Sequence, residues 1–222
     1  MENKDIYDDI SSIKTIMERS AKFISLSGLS GVLAGIYALI GSFIAYKIIP
    51  IYIFPQLFAY YATDKEMTLG MSYDTDFNYI TVLIVIAIVV LLLSISTGIL
   101  FSIRKAKHKG QKVWNESSRA LLKNGLLPLL AGGCFVVILL MQHYYGIIAP
   151  ACLIFYGLGL AAASKYTYGD VKWLGLSEII LGLICMLLPL YGLLFWALGF
   201  GVLHILYGAI MYYKYDRGNR AA

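Results

Sequence analysis

Apolar residues in this chain neither alternate with polar ones nor recur at helical spacing along most of its length; they gather into long unbroken runs. Six runs stand out, Phe23 to Ile49, Asn78 to Ile103, Ala120 to Met141, Ile147 to Ser164, Val171 to Pro189 and Leu193 to Tyr213. Each is roughly 18 to 26 residues long, which crosses about 30 Å of hydrocarbon at about 1.5 Å per residue. The pattern predicts an all-α polytopic membrane protein, six transmembrane helices bundled from helical hairpins in one domain covering residues 1 to 222. The longest connection, Pro50 to Phe77, is too short to bury a core of its own outside the bilayer.

Before the first run the pattern changes. Over residues 5 to 22, Ile6, Ile10, Ile13 and Met17 lead to Ile24 in steps of four and three, interrupted at Ser20, which predicts an N-terminal amphipathic helix. Such a stripe either lies on the cytoplasmic membrane surface or forms a seam for a partner, a second copy of the chain or a cytoplasmic protein.

The runs also differ among themselves. The first carries Ser27, Gly31, Ala34, Gly35, Ala38, Ser42 and Ala45 along one face, and Gly31 with Gly35 forms a GxxxG that lets another backbone approach closely. The second is Ile, Val and Leu almost throughout, the composition of a helix that faces lipid. Between them Tyr52, Phe54, Phe58, Tyr60, Tyr61, Tyr73 and Phe77 suit the head-group level, with a lid over a cavity as the alternative. Pro128 and Gly132-Gly133 predict a kink in the third run. Gly28 to Ile36 matches Gly175 to Leu183 residue for residue at Gly-Leu-Ser, and Gly35 corresponds to Gly182. Ser177 and Gly182 are therefore read as packing positions like Ser27, Gly31 and Gly35, and the match predicts duplicated helical hairpins.

Composition sharpens the class. The chain is 59% hydrophobic and 14% charged, where a soluble domain is about half apolar and a quarter charged. Its net charge of +5 is unevenly placed. With six alternating spans, Lys4, Lys14, Arg19, Lys22, the cluster from Arg104 to Arg119, Lys165, Lys172, Lys214, Arg217 and Arg220 share one side, and the other holds Lys65, with Lys47 close to the end of the first run, against Asp64, Glu66, Asp74 and Asp76. The positive-inside rule then puts both termini in the cytoplasm, in a bacterial inner membrane. This placement accounts for most of the basic excess without a direct nucleic-acid role. Arg104, Lys105, Lys107, Lys109 and Lys112 are expected at anionic head groups of the lipid bilayer. Cys134, Cys152 and Cys185 lack ligand spacing and read as small apolar fillers. The first run is longer than a signal-peptide core and is expected to be retained.

Candidate chemistry is confined to the last two runs. Glu178 lies six residues past Lys172 and His204 ten before Lys214, so in antiparallel helices their depths differ by about 6 Å. Ionisable groups at such depth usually face a partner, water or substrate, and the two are read as an intramembrane polar pair sharing a proton. The alternative sends Glu178 to the interface near Trp173 while His204 donates to a backbone carbonyl.

Gly28-Leu29-Ser30-Gly31 resembles the GxSG of rhomboid proteases, with His204 as the base such a resemblance implies. Ser30 is in the first run, though, and Ser177 repeats its setting, so close packing accounts for the motif better than a nucleophile does. There is no HExxH and no Walker A. No catalytic residue, metal ligand or cofactor is assigned.

The ending from Phe195 to Gly208, together with the Gly-Leu-Ser start of the first run, resembles an uncharacterised group of six-span inner-membrane proteins of Bacteroidota. That resemblance covers the whole chain and implies a signalling or regulatory role beside winged-helix regulators. The resulting expectation is a non-enzymatic sensor, regulator or scaffold, and the alternative a small proton-coupled transporter or channel using Glu178 and His204.

Overall fold

The computed structural model describes residues 27–48, 73–108, 110 and 113–217. They form six helices: α1 (Gly28–Ile48), α2 (Tyr73–His108), α3 (Glu116–Met141), α4 (Ile148–Ala163), α5 (Val171–Leu187) and α6 (Gly192–Asp216). No strand occurs among the described residues. Five of the helices are long and apolar enough to cross a membrane, α4 counting with its flanking 3-10 turns as Tyr145–Tyr166. The remaining one, α5, has 17 residues. The expected amphipathic helix at residues 5 to 22 lies outside the described residues, as do residues 49–72 of the aromatic-rich connection.

Hydropathy placed the ends of two helices short. α2 begins at Tyr73 and continues to His108, five residues beyond Ile103. α3 begins at Glu116 rather than Ala120 because its first turn is polar and carries its own start signal. There the Asn115 side chain accepts from the Ser118 amide at 2.8 Å, and the Asn115 amide donates to Ser118 Oγ at 2.8 Å. This reciprocal cap satisfies two amides the helix cannot, and Glu116 places negative charge at the positive end of the helix dipole. α3 runs through Pro128 as one helix.

Packing follows the small residues. α4 lies between α3 and α5, while α1 lies between α2 and α6. A Cβ on Gly157 would come within 2.5 Å of the Gly175 carbonyl oxygen, and one on Gly175 within 2.6 Å of the Gly157 oxygen, so α4 and α5 meet backbone to backbone. α1 and α6 meet in the same way: a Cβ on Gly208 would lie 2.7 Å from the Gly28 oxygen, and one on Gly35 2.6 Å from the Gly201 oxygen. Only glycine permits such an approach. α2 instead shows Val85, Ile88, Leu91, Leu92, Ile95 and Ile99 on its exposed surface, the character expected of a lipid-facing helix.

One end of the bundle is tied by charge. Asp216, at the end of α6, accepts from the Gly28 amide at 3.0 Å and Ser27 Oγ at 3.3 Å, and pairs with Lys105 at the end of α2 at 2.5 Å. Lys105 also reaches the Tyr168 hydroxyl at 3.2 Å in the α4–α5 turn, and the Tyr168 ring stacks on Tyr215. Burial pushes the Tyr168 phenol up to about 12, with the Asp216 carboxylate adding to the shift. Asp170 accepts from Lys214 and from the Tyr215 hydroxyl, each at 2.7 Å. These hydrogen bonds, that from Lys214 foremost, hold the Asp170 carboxyl below its ordinary range. Among the basic residues expected at head groups, Arg104 and Lys107 are exposed, Lys105 is turned inward to Asp216, and Lys109 and Lys112 lie outside the described residues.

Candidate functional site

Glu178 reaches the interior because it shares the packed face of α5 with Val171, Leu174, Gly175, Gly182 and Cys185, which recur at helical spacing. It is fully buried, at 0% exposure. His204 occupies the packed face of α6 with Gly201, Gly208 and Met211. Its imidazole Nδ1 lies 3.4 Å from Glu178 Oε1.

Just before His204, α6 widens into a π-helical turn over Ala197–Leu203. Such turns carry one residue more than an α-helical turn and often occur at functional sites. Within this one, the Gly199 carbonyl accepts from His204 Nδ1 at 3.0 Å. A carbonyl only accepts, so Nδ1 carries a proton, and that proton is directed at Gly199 rather than at the carboxylate. The structure therefore joins the pairing to one half of its alternative: His204 donates to a backbone carbonyl and stands beside Glu178, which is buried and not turned to an interface near Trp173. Neither Glu178 oxygen receives a hydrogen bond among the described residues, although Oε1 lies within ion-pair distance of the imidazole.

The other imidazole nitrogen, Nε2, meets the Tyr156 hydroxyl of α4 at 2.7 Å. With neutral imidazole the phenol donates; with imidazolium the ring donates to the phenol oxygen. Tyr156 also packs against Phe200, ring centroids 5.1 Å apart, and Phe200 continues to Trp196 at 5.3 Å. Three helices thus place an acid, a base and a phenol in one enclosed cluster. Glycine makes the room: a Cβ on Gly199 would lie 2.5 Å from Glu178 Oε2 and would also meet Leu153 and Leu181.

The arrangement ties the charge states of Glu178 and His204 together. An isolated charge buried in this way is costly, so the cluster is best served by states without net charge, the carboxylate–imidazolium pair or the neutral acid with neutral imidazole. Interconverting them takes the proton off Glu178 and puts one on His204 Nε2, which faces the Tyr156 hydroxyl and not the carboxylate, so Tyr156 stands where the charge state of the ring changes. Among the described residues no group of three or more His, Cys, Asp or Glu is placed to hold a metal ion.

The other sequence-derived positions divide. Gly31 faces Gly208, Gly35 faces Gly201, Gly182 faces Ile154, and Ser27 binds Asp216. Ser177 is exposed, because two residues past Gly175 is about 200° around the helix from the packed face. Ser30 Oγ donates to the Ser27 carbonyl at 2.7 Å, while both nitrogens of His204 are engaged with Gly199 and Tyr156.

Tyr156, Gly199 and Phe200 were not singled out from sequence. One signal points to Phe200, which stands four residues before His204 on the same helix face. Comparison of the chain with family models, curated proteins and solved structures finds no match.

Proposed function

We propose that this protein is a non-enzymatic regulator or scaffold of a bacterial inner membrane, in which the Glu178–His204–Tyr156 cluster locks α4, α5 and α6 together in one proton-dependent arrangement. All six helices cross the bilayer, α5 included, and both termini face the cytoplasm. The basic residues Arg104, Lys105, Lys107, Lys165, Lys172, Lys214 and Arg217 at one end of the bundle support that orientation. Residues 5 to 22 and the charged end of the bundle then offer the surface for a partner protein or a second copy.

One observation carries the regulatory reading over transport. Glu178 is fully enclosed, with Leu153, Leu181 and Gly199 packed around the carboxyl. A carrier must open such a group to water, whereas a lock is strengthened by a dry setting. The transport alternative draws on the two carboxyl oxygens that lack a hydrogen-bond donor among the described residues.

Proteoliposomes under an imposed diffusion potential decide between them. The lock predicts the same proton flux in the parent protein and in Glu178→Gln, together with a lower thermal midpoint for the variant. A parent flux that disappears in Glu178→Gln would overturn the regulatory reading in favour of transport.

A further inference from the structure

At the end of the bundle away from Asp216, a cavity of about 350 Å³ lies between α1, α2, α3, α4 and the start of α6. Leu83, Ala87 and Leu91 of α2, Leu140 of α3, Cys152 of α4 and Trp196 of α6 form its walls. Its volume is within the range of small-molecule sites. The lining is apolar, and Ser42 spends its hydroxyl on the Ala38 carbonyl at 2.9 Å.

The cavity persists because its two flanking helices are fixed to different partners. α2 is held by α1, where Ala45 packs on Tyr79, Leu83 and Ile86. α3 is held by α4, with Gly132 against Phe155 and Gly125 against Ala163. Neither helix is a principal packing partner of the other, so a slot is left where both face lipid.

We propose that this slot binds one acyl chain of a membrane phospholipid as a saturable site, distinct from the exchanging lipid around the bundle. Its walls on α2 run from Ile80 to Leu91, about 16 Å of helix and so about half of a hydrocarbon core roughly 30 Å thick. One leaflet's chain matches that depth. Polarity matches too: the shaft is apolar, and at its rim Tyr145 meets His143 Nδ1 at 2.6 Å, where a head group would lie. An apolar slot opening on the bilayer fills with the surrounding solvent, which here is hydrocarbon.

The chain has three tryptophans, and Trp196 alone lines the slot. In a Trp114→Phe/Trp173→Phe background, delipidated protein in detergent is titrated with phosphatidylcholine brominated on its chains, and Trp196 emission is followed. Quenching is expected to saturate at about one lipid per chain and to be reversed by unbrominated lipid. Ala87→Phe, which fills the slot from its exposed wall, should weaken half-saturation at least roughly tenfold, about 1.4 kcal/mol. Leu92→Phe, on the exposed surface of α2, should leave it unchanged, and gel filtration verifies folding of both variants. Quenching that rises without saturation, or that Ala87→Phe does not weaken, would overturn the site. A lipid-independent dimer that Ala87→Phe dissociates would also overturn it, by showing a second copy in the slot.

Discussion

The antiparallel pairs α1–α6 and α4–α5 close by the same means and differ in what they enclose. Gly28 meets Gly208 in one pair and Gly175 meets Gly157 in the other, backbone against backbone. Three residues past Gly28, α1 has Gly31 against Gly208; three past Gly175, α5 has Glu178 facing His204. The two tyrosines before the glycines part company as well. Tyr156 of α4 reaches His204, whereas the Tyr207 hydroxyl is buried without a hydrogen-bond partner among the described residues. Glycine contacts supply proximity and no chemistry. One ionisable side chain added to such a contact makes a site of it, and its partner has to come from the other pair.

The largest effects should come from breaking closure itself. Gly157→Leu and Gly208→Leu each drive a side chain into a neighbouring backbone that cannot give way, costing about 3 kcal/mol or more. Both variants should lose the monodisperse peak in gel filtration. Tolerance of one and loss of the other would end the equivalence of the two pairs. Next comes the polar contact between them. His204→Leu leaves the Glu178 carboxyl buried beside apolar groups, at a cost of about 3 kcal/mol. Glu178→Leu/His204→Leu should recover much of that loss in thermal unfolding, since removing both partners strands neither. Additive losses would show that the two residues act independently.

How much of this was legible follows from what each signal depends on. The apolar runs gave the helices because length and hydropathy are local, and they missed the ends of α2 and α3 because Tyr73, Arg104 to His108 and Glu116 to Arg119 are polar. Glu178 and His204 stood out because ionisable residues are rare in such runs. Tyr156 did not, since nothing within α4 distinguishes a tyrosine that will meet a histidine 48 positions later. The π-helical turn was equally silent: Ala197 to Leu203 reads as ordinary apolar helix, and only tertiary packing turns the Gly199 carbonyl and the His204 ring toward each other. Lys105 was read by its charge and neighbours as a head-group contact, whereas its reach to Asp216 depends on where α6 ends.

The tyrosines sharpen the comparison at smaller scale. Tyr156→Phe removes the partner of His204 Nε2 and should cost about 1 kcal/mol. Tyr207→Phe removes a hydroxyl that makes no hydrogen bond among the described residues, so it should be neutral or raise stability by up to about 1 kcal/mol. Opposite signs in thermal melts of the two variants would mark Tyr156 as part of the site and Tyr207 as packing. Equal losses would show that ring packing, and not the hydroxyl, accounts for both.

The smallest effect is expected at the turn between α4 and α5, where Asp170 binds Lys214 and Tyr215 of α6 and so joins one pair to the other. The Asp170 carboxyl titrates below its ordinary value in the folded protein. A depressed folded value means that the unfolded chain binds the proton more readily. The resulting stability is present above the unfolded value, about 3.9, and is lost as pH falls through the lower folded value. Asp170→Asn should therefore melt slightly below the parent at neutral pH, and the gap should close as both are taken below about pH 4. High salt should narrow the gap too, because the pair lies at the surface. Curves that stay parallel from neutral pH to pH 3 would leave the two helix pairs joined by packing and by the buried Glu178–His204 contact, with no share for this one.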